Sequence, residues 1–284
     1  MLKCISYWSF EGGLEQKKPL SEAFSEAKSN GYDGIELTIG ETGILNIDST
    51  EDECKKVASL AGNINISHKT IASGIPWQYS LTDNDLEVRK KGINYVKKML
   101  HITRWLEAES FLLVPGAVDV FFRKDYEKVP YDVCYSRSKE SIREIIPTAE
   151  DIDVNICIEN VANKFLLSPL EMRDFIDSFG SNKVGSYLDI GNLLYTGGYP
   201  EDWIRILGER VKAVHIKDYK LSVGGIEGFC ELLDGDVNWQ EAMEALKDIN
   251  YNGTITAEMM PSSEGLLERT SKAMNKIMGV NLDD

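Results

Sequence analysis

Three carboxylates and one imidazole are the side chains of this sequence that most clearly indicate chemistry. Each follows a short run of apolar residues, within "ICIEN", "SYLDIGN", "AVHIKD" and "ITAEMM". The four residues are Glu159, Asp189, His215 and Glu258, and they are separated by 30, 26 and 43 residues. If each apolar run is a strand of one parallel sheet, these side chains lie at matching heights at its carboxyl edge. We expect them to converge on a single point.

A divalent cation is the simplest partner for such a group. Three carboxylates in one desolvated site repel each other and raise each other's pKa unless a cation lies among them. Oxygen donors with one imidazole suit Mn²⁺, Zn²⁺, Co²⁺ or Mg²⁺. Taken singly, each carboxylate is more typical of a surface position or a helix cap, and the histidine of a structural role. Together they predict one metal site formed by Glu159, Asp189, His215 and Glu258.

The elements that must position these residues alternate along the chain. Eight short apolar segments recur at intervals of roughly 30 to 40 residues, each followed by an amphipathic stretch. They read "LKCISYW", "DGIELTI", "INISHKT", "SFLLVP", "DVNICIEN", "VGSYLDI", "VKAVHIK" and "GTITAEM". Alternating strands and helices favour parallel pairing, and eight such units close into an α/β fold of the (β/α)8 TIM barrel type. An open doubly wound sheet is the alternative, but "FEGGLE" lacks the GxGxxG spacing typical of it. We predict a single domain over residues 1–284.

Composition restricts the class of partner. Hydrophobic residues make up 43% of the 284 residues and charged residues 27%, which is typical of a globular enzyme. The net charge of -15 repels nucleic acid and anionic membranes, and no window of about 18 apolar residues indicates a membrane span. Five cysteines without a CxxC pair favour reduced thiols. We expect a cytoplasmic protein with neither a nucleic-acid nor a membrane partner.

Several segments together resemble a known superfamily. These are "GYDGIEL", "ICIENVANKF", "YLDIGNLL", "AVHIKDYK", "GDVNW" and "TAEM". In this order, and over most of the chain, they are similar to the xylose isomerase-like TIM barrels of sugar-phosphate isomerases and epimerases. That superfamily includes ketose 3-epimerases and the L-ribulose- and L-xylulose-5-phosphate 3-epimerases. The resemblance implies one bound divalent ion, commonly manganese, proton exchange by Glu159 and Glu258, and a homo-oligomer, either a dimer or a tetramer.

The resemblance also implies that the substrate is a sugar or a sugar phosphate. "DIGN" is more similar to the phosphosugar epimerases, because the free-ketose enzymes usually carry a histidine where Asn192 stands. Those enzymes also tend to carry an arginine six residues after the metal histidine, where this chain has Leu221. Lysines near strand ends are candidates for binding a phosphate: Lys69, Lys164, Lys217 and Lys220. The long segment 221–236, "LSVGGIEGFCELLDGD", is a candidate lid or dimer contact.

Five further residues are expected to bind the substrate, namely Trp8, Glu36, His68, Asn192 and Lys217. Trp8, like Trp77, can pack against the C–H face of a sugar. Glu36 bonds a sugar hydroxyl or, alternatively, holds the neighbours of His215 in place. His68 is expected at the end of the third strand, inside the pocket.

A metal-dependent ketose or ketose-phosphate 3-epimerase is the function that these features predict best. A metal stabilises the enediolate as a Lewis acid, and two glutamates on opposite sides of C3 remove and return the proton. A dehydratase acting on an inosose or polyol begins with the same proton abstraction and stays an alternative, as does a non-catalytic sugar-binding barrel. A zinc-dependent abasic-site endonuclease needs more histidines than three and a basic groove, which the charge of -15 disfavours.

Overall fold

Eight parallel strands form a closed barrel in the computed structural model, which describes residues 1–279. The barrel strands are β1 (Leu2–Ser6), β2 (Gly34–Thr38), β3 (Thr70–Ala72), β4 (Ser110–Leu113), β5 (Asn155–Glu159), β6 (Val184–Asp189), β7 (Val211–Ile216) and β10 (Thr254–Ala257). They pair in the order β1, β10, β7, β6, β5, β4, β3, β2, and β2 pairs back with β1. The predicted TIM barrel is therefore confirmed, and the open sheet is excluded.

Helices surround this barrel and connect its strands. The described residues form α1 (Leu20–Ser29), α2 (Glu51–Ile64), α3 (Ile75–Gln78), α4 (Leu86–Trp105), α5 (Tyr131–Ile152), α6 (Pro169–Asp177), α7 (Ile190–Thr196), α8 (Pro200–Leu207), α9 (Trp239–Asp248) and α10 (Leu266–Met278). Local signals set their starts: Thr50 and Glu53 form a capping box at α2, and Ser168 caps α6. The helices α3 and α7 were not predicted from the sequence, because four and seven residues are too few to show a helical period.

The strands are buried on both faces, as a barrel covered by helices requires. Between strands and helices lies one large apolar core, and a second, smaller cluster fills the barrel interior. The interior cluster consists of Ala72, Leu112, Val114, Cys157, Tyr187 and Ala213. Trp8, Trp77 and Val161 pack against it. The barrel is therefore a packed core, and an open site can form only at its ends.

The segment between β7 and α9 contains a small second sheet. Its strands, β8 (Asp218–Tyr219) and β9 (Phe229–Cys230), pair antiparallel outside the barrel. The predicted loop 221–236 therefore has regular structure and lies over the carboxyl end of β7.

The cysteines and the helices bear on two expectations from composition, namely reduced thiols and the absence of a membrane span. All five cysteines are free, and four of them are buried, as expected for reduced thiols. Within residues 1–279, no helix has the length and apolar character needed to cross a membrane. The last five residues of the predicted domain, 280–284, lie outside the described residues.

Candidate metal centre

The four predicted ligands lie together at the carboxyl ends of their strands. Glu159 and Asp189 are the last residues of β5 and β6, His215 lies in β7 beside Asp189, and Glu258 directly follows β10. All four are buried, and one potential ligand atom from each lies within 4.8 Å of the others. The barrel thus brings these side chains to one point.

His215 Nδ1 faces the three carboxylates at nearly equal distances. It lies 3.7 Å from Glu159 Oε1, 3.9 Å from Asp189 Oδ2 and 3.8 Å from Glu258 Oε2. Two ligands on opposite sides of one ion can be about 4.2 Å apart, twice the ~2.1 Å length of a metal–ligand bond. Among the described residues, His215 Nδ1 and Asp189 Oδ2 are buried atoms without a hydrogen-bond partner. The donor set and its spacing therefore fit one divalent cation.

Glu36 and Tyr187 fix the orientation of the imidazole. Glu36 lies within β2, and its Oε1 is 2.8 Å from His215 Nε2. Tyr187 OH donates a hydrogen bond to the other oxygen, Glu36 Oε2. With Nε2 protonated toward Glu36, Nδ1 carries the lone pair that a metal ligand needs. The expected sugar contact of Glu36 is therefore wrong, because the carboxylate is fully buried and both its oxygens are engaged. The alternative role was to hold the neighbours of His215, and in the structure Glu36 contacts one such neighbour, Tyr187, and also His215 itself.

Two asparagines hold Asp189. Asn160 Oδ1 accepts a hydrogen bond from Asp189 N at 2.9 Å, and Asn160 Nδ2 donates to Asp189 O at 2.8 Å. Asn192 N donates to Asp189 Oδ1 at 2.9 Å, so that this oxygen caps α7 while Oδ2 faces His215. Asn192 Nδ2 completes the group by donating to Asn160 O at 3.1 Å. Asn160 was not predicted as part of the site, although it directly follows Glu159.

Lys217 places a positive charge against two of the carboxylates. Its Nζ is 2.9 Å from Asp189 Oδ2, as an ion pair without hydrogen-bond alignment, and it also contacts Glu258 Oε2. Burial lowers the pKa of Lys217, but Asp189, Glu258 and Glu159 raise it more, and the net shift is upward. The ammonium group therefore stays charged at neutral pH.

The surroundings of Glu159 favour its neutral form. Burial raises the pKa of this carboxyl to about 7, against the opposing effects of His215 and Lys217. The negative charges of Glu258 and Asp189 add to the rise. A group whose pKa lies near neutrality can both accept and release a proton at the working pH.

The centre lies at the base of a cavity of about 1140 Å³. Three of the five predicted substrate-binding residues line it, namely Trp8, Asn192 and Lys217. Trp77 also stands in its wall. The segment between β7 and α9 supplies one side, with Ile226, Phe229, Cys230 and Glu231. This segment therefore forms part of the pocket.

His68 lies outside this cavity. It precedes β3, and its Nε2 forms a hydrogen bond of 2.8 Å with Leu106 O, which lies between α4 and β4. Both positions belong to the amino-terminal end of the barrel, opposite the centre. The predicted place of His68 in the pocket is wrong because the strand begins only at Thr70.

A family model and several curated proteins match this chain. The model described as xylose isomerase-like TIM barrel matches residues 24–277. D-psicose 3-epimerase of Agrobacterium fabrum is 27% identical over 206 residues, which cover 70% of this chain and 67% of that protein. The putative L-ribulose-5-phosphate 3-epimerase of Haemophilus influenzae is 22% identical over 267 residues, 91% of each chain. Fructoselysine 3-epimerase of Escherichia coli O157:H7 is 22% identical over 251 residues, 86% of this chain and 87% of that protein.

Solved structures share the fold over nearly the whole chain. A D-psicose 3-epimerase crystallised in the presence of D-fructose has a TM-score of 0.79 at 21% identity, covering 98% of this chain and 100% of the other. The IOLI protein with a bound zinc atom has a TM-score of 0.76 at 16% identity, with complete coverage of both chains. At these identities the likeness establishes the barrel fold.

Proposed function

Because this chain belongs to the xylose isomerase-like TIM barrel family, we propose that it is a divalent-metal-dependent 3-epimerase of a ketose or ketose phosphate. The observation that carries the proposal is the group Glu159, Asp189, His215 and Glu258 at the base of an open cavity, with the histidine Nδ1 left unpartnered. The relatives named as sugar 3-epimerases support the same reaction class.

The four clustered residues are the proposed ligands of the ion. Mn²⁺ suits their oxygen-rich donor set, and Zn²⁺, Co²⁺ and Mg²⁺ are compatible with it. When bound, the cation supplies Lewis-acid stabilisation of the negative charge that develops on the substrate's oxygens. Glu36 holds His215 with Nδ1 toward the centre, and Asn160 holds the backbone of Asp189. These supporting contacts fix the two ligands before any ion arrives.

Glu159 and Glu258 are the proposed acid and base. They come from β5 and from the end of β10, and β6 and β7 lie between these strands in the barrel. The two carboxyl groups therefore approach a bound carbon from different sides. If one removes the proton from C3 and the other returns a proton to the opposite face, the configuration at C3 is inverted. Burial raises the pKa of Glu159 toward neutrality, and a bound cation would oppose that rise.

Proton exchange with solvent tests this proposal directly. The metal-loaded protein is incubated in D₂O with a panel of ketoses and ketose phosphates, and NMR follows the C–H signals. We expect loss of the C3–H signal of at least one sugar and appearance of its C3 epimer. A product that has lost water, detected by mass, would instead identify a dehydratase. Absence of any C–H exchange over the panel would favour a sugar-binding barrel without catalysis.

Glu258→Gln tests whether Glu258 belongs to the acid–base pair. The amide keeps the shape of the side chain but cannot accept the C3 proton, so we expect the exchange rate to fall at least about 100-fold. The control is Glu244→Gln on the exposed face of α9, which should exchange at the wild-type rate. Exchange at C3 by the Glu258→Gln protein at the wild-type rate would remove Glu258 from the pair.

A further inference from the structure

The outer wall of the cavity is apolar and open to solvent. Its large side chains are Leu14, Phe121, Phe122, Ile226 and Met260, each 44–52% exposed. They come from segments that follow different strands, yet they surround one opening above the carboxylates. Exposed apolar side chains gathered at a concave site usually mark a binding surface.

Part of this wall is held in place by packing. The rings of Trp77 and Phe122 meet edge to face with centroids 5.2 Å apart, and Phe121 and Phe122 do so at 5.1 Å. Arg123 Nη1 donates to Trp77 O at 2.9 Å, and Arg123 also pairs with Asp125. These contacts connect the segment after β4 to α3. The aromatic wall therefore exists before a ligand binds, which lowers the entropy cost of binding.

The cavity offers little to a phosphate group. Lys217 is the one basic residue that lines it within residues 1–279, and it lies beside Asp189 and Glu258 at the base, not in the outer wall. The other lysines considered for phosphate binding lie elsewhere: Lys69 pairs with Glu109, Lys164 pairs with Asp119, and Lys220 does not line the cavity. A phosphate in the outer part of the cavity would meet Glu41 and Glu231 and no basic lining side chain of the described residues.

The acidic residues of the outer cavity are already paired. Glu41 Oε1 accepts a hydrogen bond from Tyr79 OH at 2.9 Å, and Glu231 forms an ion pair with Arg269 at 2.7 Å. Each carboxylate thus has a basic side chain beside it, since Lys91 Nζ also lies 3.9 Å from Glu41 Oε1. The ligand group that fits this wall is therefore uncharged and apolar.

The volume leaves room for such a group. Pockets of roughly 300–1,000 Å³ hold drug-sized ligands, and this cavity measures about 1140 Å³. A simple ketose seated on the carboxylates fills only its base. We propose that the substrate is an unphosphorylated ketose that carries an apolar substituent, such as an aryl or alkyl group, and that this substituent packs against Trp77, Phe121 and Phe122. This inference rests on the proposed 3-epimerase function and narrows its substrate class.

The test compares derivatives of the ketose that exchanges fastest at C3. The set consists of the parent sugar, its two terminal phosphates and its two terminal O-benzyl ethers, and the readout is kcat/KM for C3–H exchange in D₂O. We expect at least one benzyl ether to exceed the parent about tenfold and both phosphates to fall below it. A phosphate that exceeds the parent, or benzyl ethers that both fall below it, would overturn the inference while leaving the epimerase intact. If no sugar of the initial panel exchanges at C3, no parent can be chosen and the proposed function itself fails.

Phe122→Ala tests the wall with a matched control. Phe122 is 52% exposed and Leu170, on α6 outside the cavity, is 51% exposed, so both variants should fold. We expect Phe122→Ala to remove most of the preference for the benzyl ether over the parent sugar, and Leu170→Ala to retain it. The apolar wall could instead contact a second copy of the chain. Sedimentation velocity of both variants tests this alternative, because it measures the oligomeric state. Loss of an oligomer in Phe122→Ala alone would show that the wall is an interface and would overturn the inference.

Discussion

At the residue scale, the imidazole of His215 is oriented by two side chains that are distant from it in the sequence. Glu36 comes from β2 and Tyr187 from β6, and both reach the histidine through the barrel interior. A carboxylate that accepts the second ring N–H orients a ligating histidine and makes it more basic. Glu36 is therefore a positioning residue that acts through His215.

Glu36→Gln should weaken metal binding without unfolding the barrel. The amide keeps the shape but accepts the histidine N–H less strongly, and loss of such a partner typically costs about 10–100-fold in metal affinity. Calorimetric titration with Mn²⁺ measures this, with Glu22→Gln on the exposed face of α1 as the control. Wild-type affinity in Glu36→Gln would contradict the positioning role.

Lys217→Met should destabilise the metal-free protein. The ammonium group contacts Asp189 and Glu258 in buried surroundings, and removing one partner of a buried ion pair typically costs about 3–5 kcal/mol. Urea unfolding in the presence of a chelator measures the free energy of unfolding. The control is Lys220→Met, three residues after Lys217. Lys220 forms no side-chain ion pair among the described residues, so this variant should have the wild-type free energy of unfolding. Equal stability of the two variants would remove Lys217 from the network.

Part of this centre could be predicted from the sequence, because polar residues at the carboxyl ends of parallel strands lie at the same end of the barrel. The four clustered residues follow from that pattern, as do Trp8 and Lys217 in the cavity, whereas Asn192 was expected from the family resemblance. Tyr187 could have been found as well, since it lies two residues before Asp189 and points to the same face. The sugar contact of Glu36 was wrong because the sequence does not show how deep a residue lies within a strand.

At the element scale, Asp218 attaches the segment 221–236 to the barrel. Its buried carboxylate accepts hydrogen bonds from the backbone N–H groups of Tyr219, Leu233 and Val237 and from Trp239 Nε1, at 2.9 to 3.2 Å. A Cβ at Gly235 would lie only 2.1 Å from Asp218 Oδ1, so glycine is required there. This segment is therefore a fixed wall of the cavity.

Asp218→Ala should loosen that wall. Four donors, three of them in buried hydrogen bonds, lose their acceptor, and each unsatisfied buried group costs about 1–3 kcal/mol. We expect a loss of at least about 2 kcal/mol in unfolding free energy and faster proteolysis within 221–236. Asp234→Ala, exposed in the same segment, is the control for both measurements. Unchanged cleavage in Asp218→Ala would show that other contacts hold the segment.

The number and order of the elements were predictable, whereas their exact limits were not. Alternating apolar runs and amphipathic stretches identify eight βα units without structural information. The start of β3 was placed too early because "INIS" has the alternation of a strand but lies before it. That shift moved His68 to the wrong end of the barrel.

At the scale of the whole molecule, the closed barrel explains why the site is more predictable than the cavity above it. Barrel closure forces the carboxyl ends of all strands to one rim, so residues of similar position must meet. The outer wall comes from segments after β1, β3, β4, β7 and β10, whose relative placement no local pattern encodes. Hence the sequence predicted the cluster of four residues but did not decide whether the substrate carries a phosphate. The ion pairs of Lys69 and Lys164 became evident only in three dimensions.

The most direct test of the account is the stoichiometry and affinity of Mn²⁺ in Asp189→Asn. Asparagine retains the cap of α7, since it is as good an N-cap as aspartate, but it removes the charged oxygen that faces His215. Asp202→Asn, in the exposed first turn of α8, is the control. We predict one Mn²⁺ bound per chain in the wild type and the control, and at least about 100-fold weaker binding in Asp189→Asn. Equal binding by all three proteins, or no binding by the wild type, would contradict a metal centre at these residues.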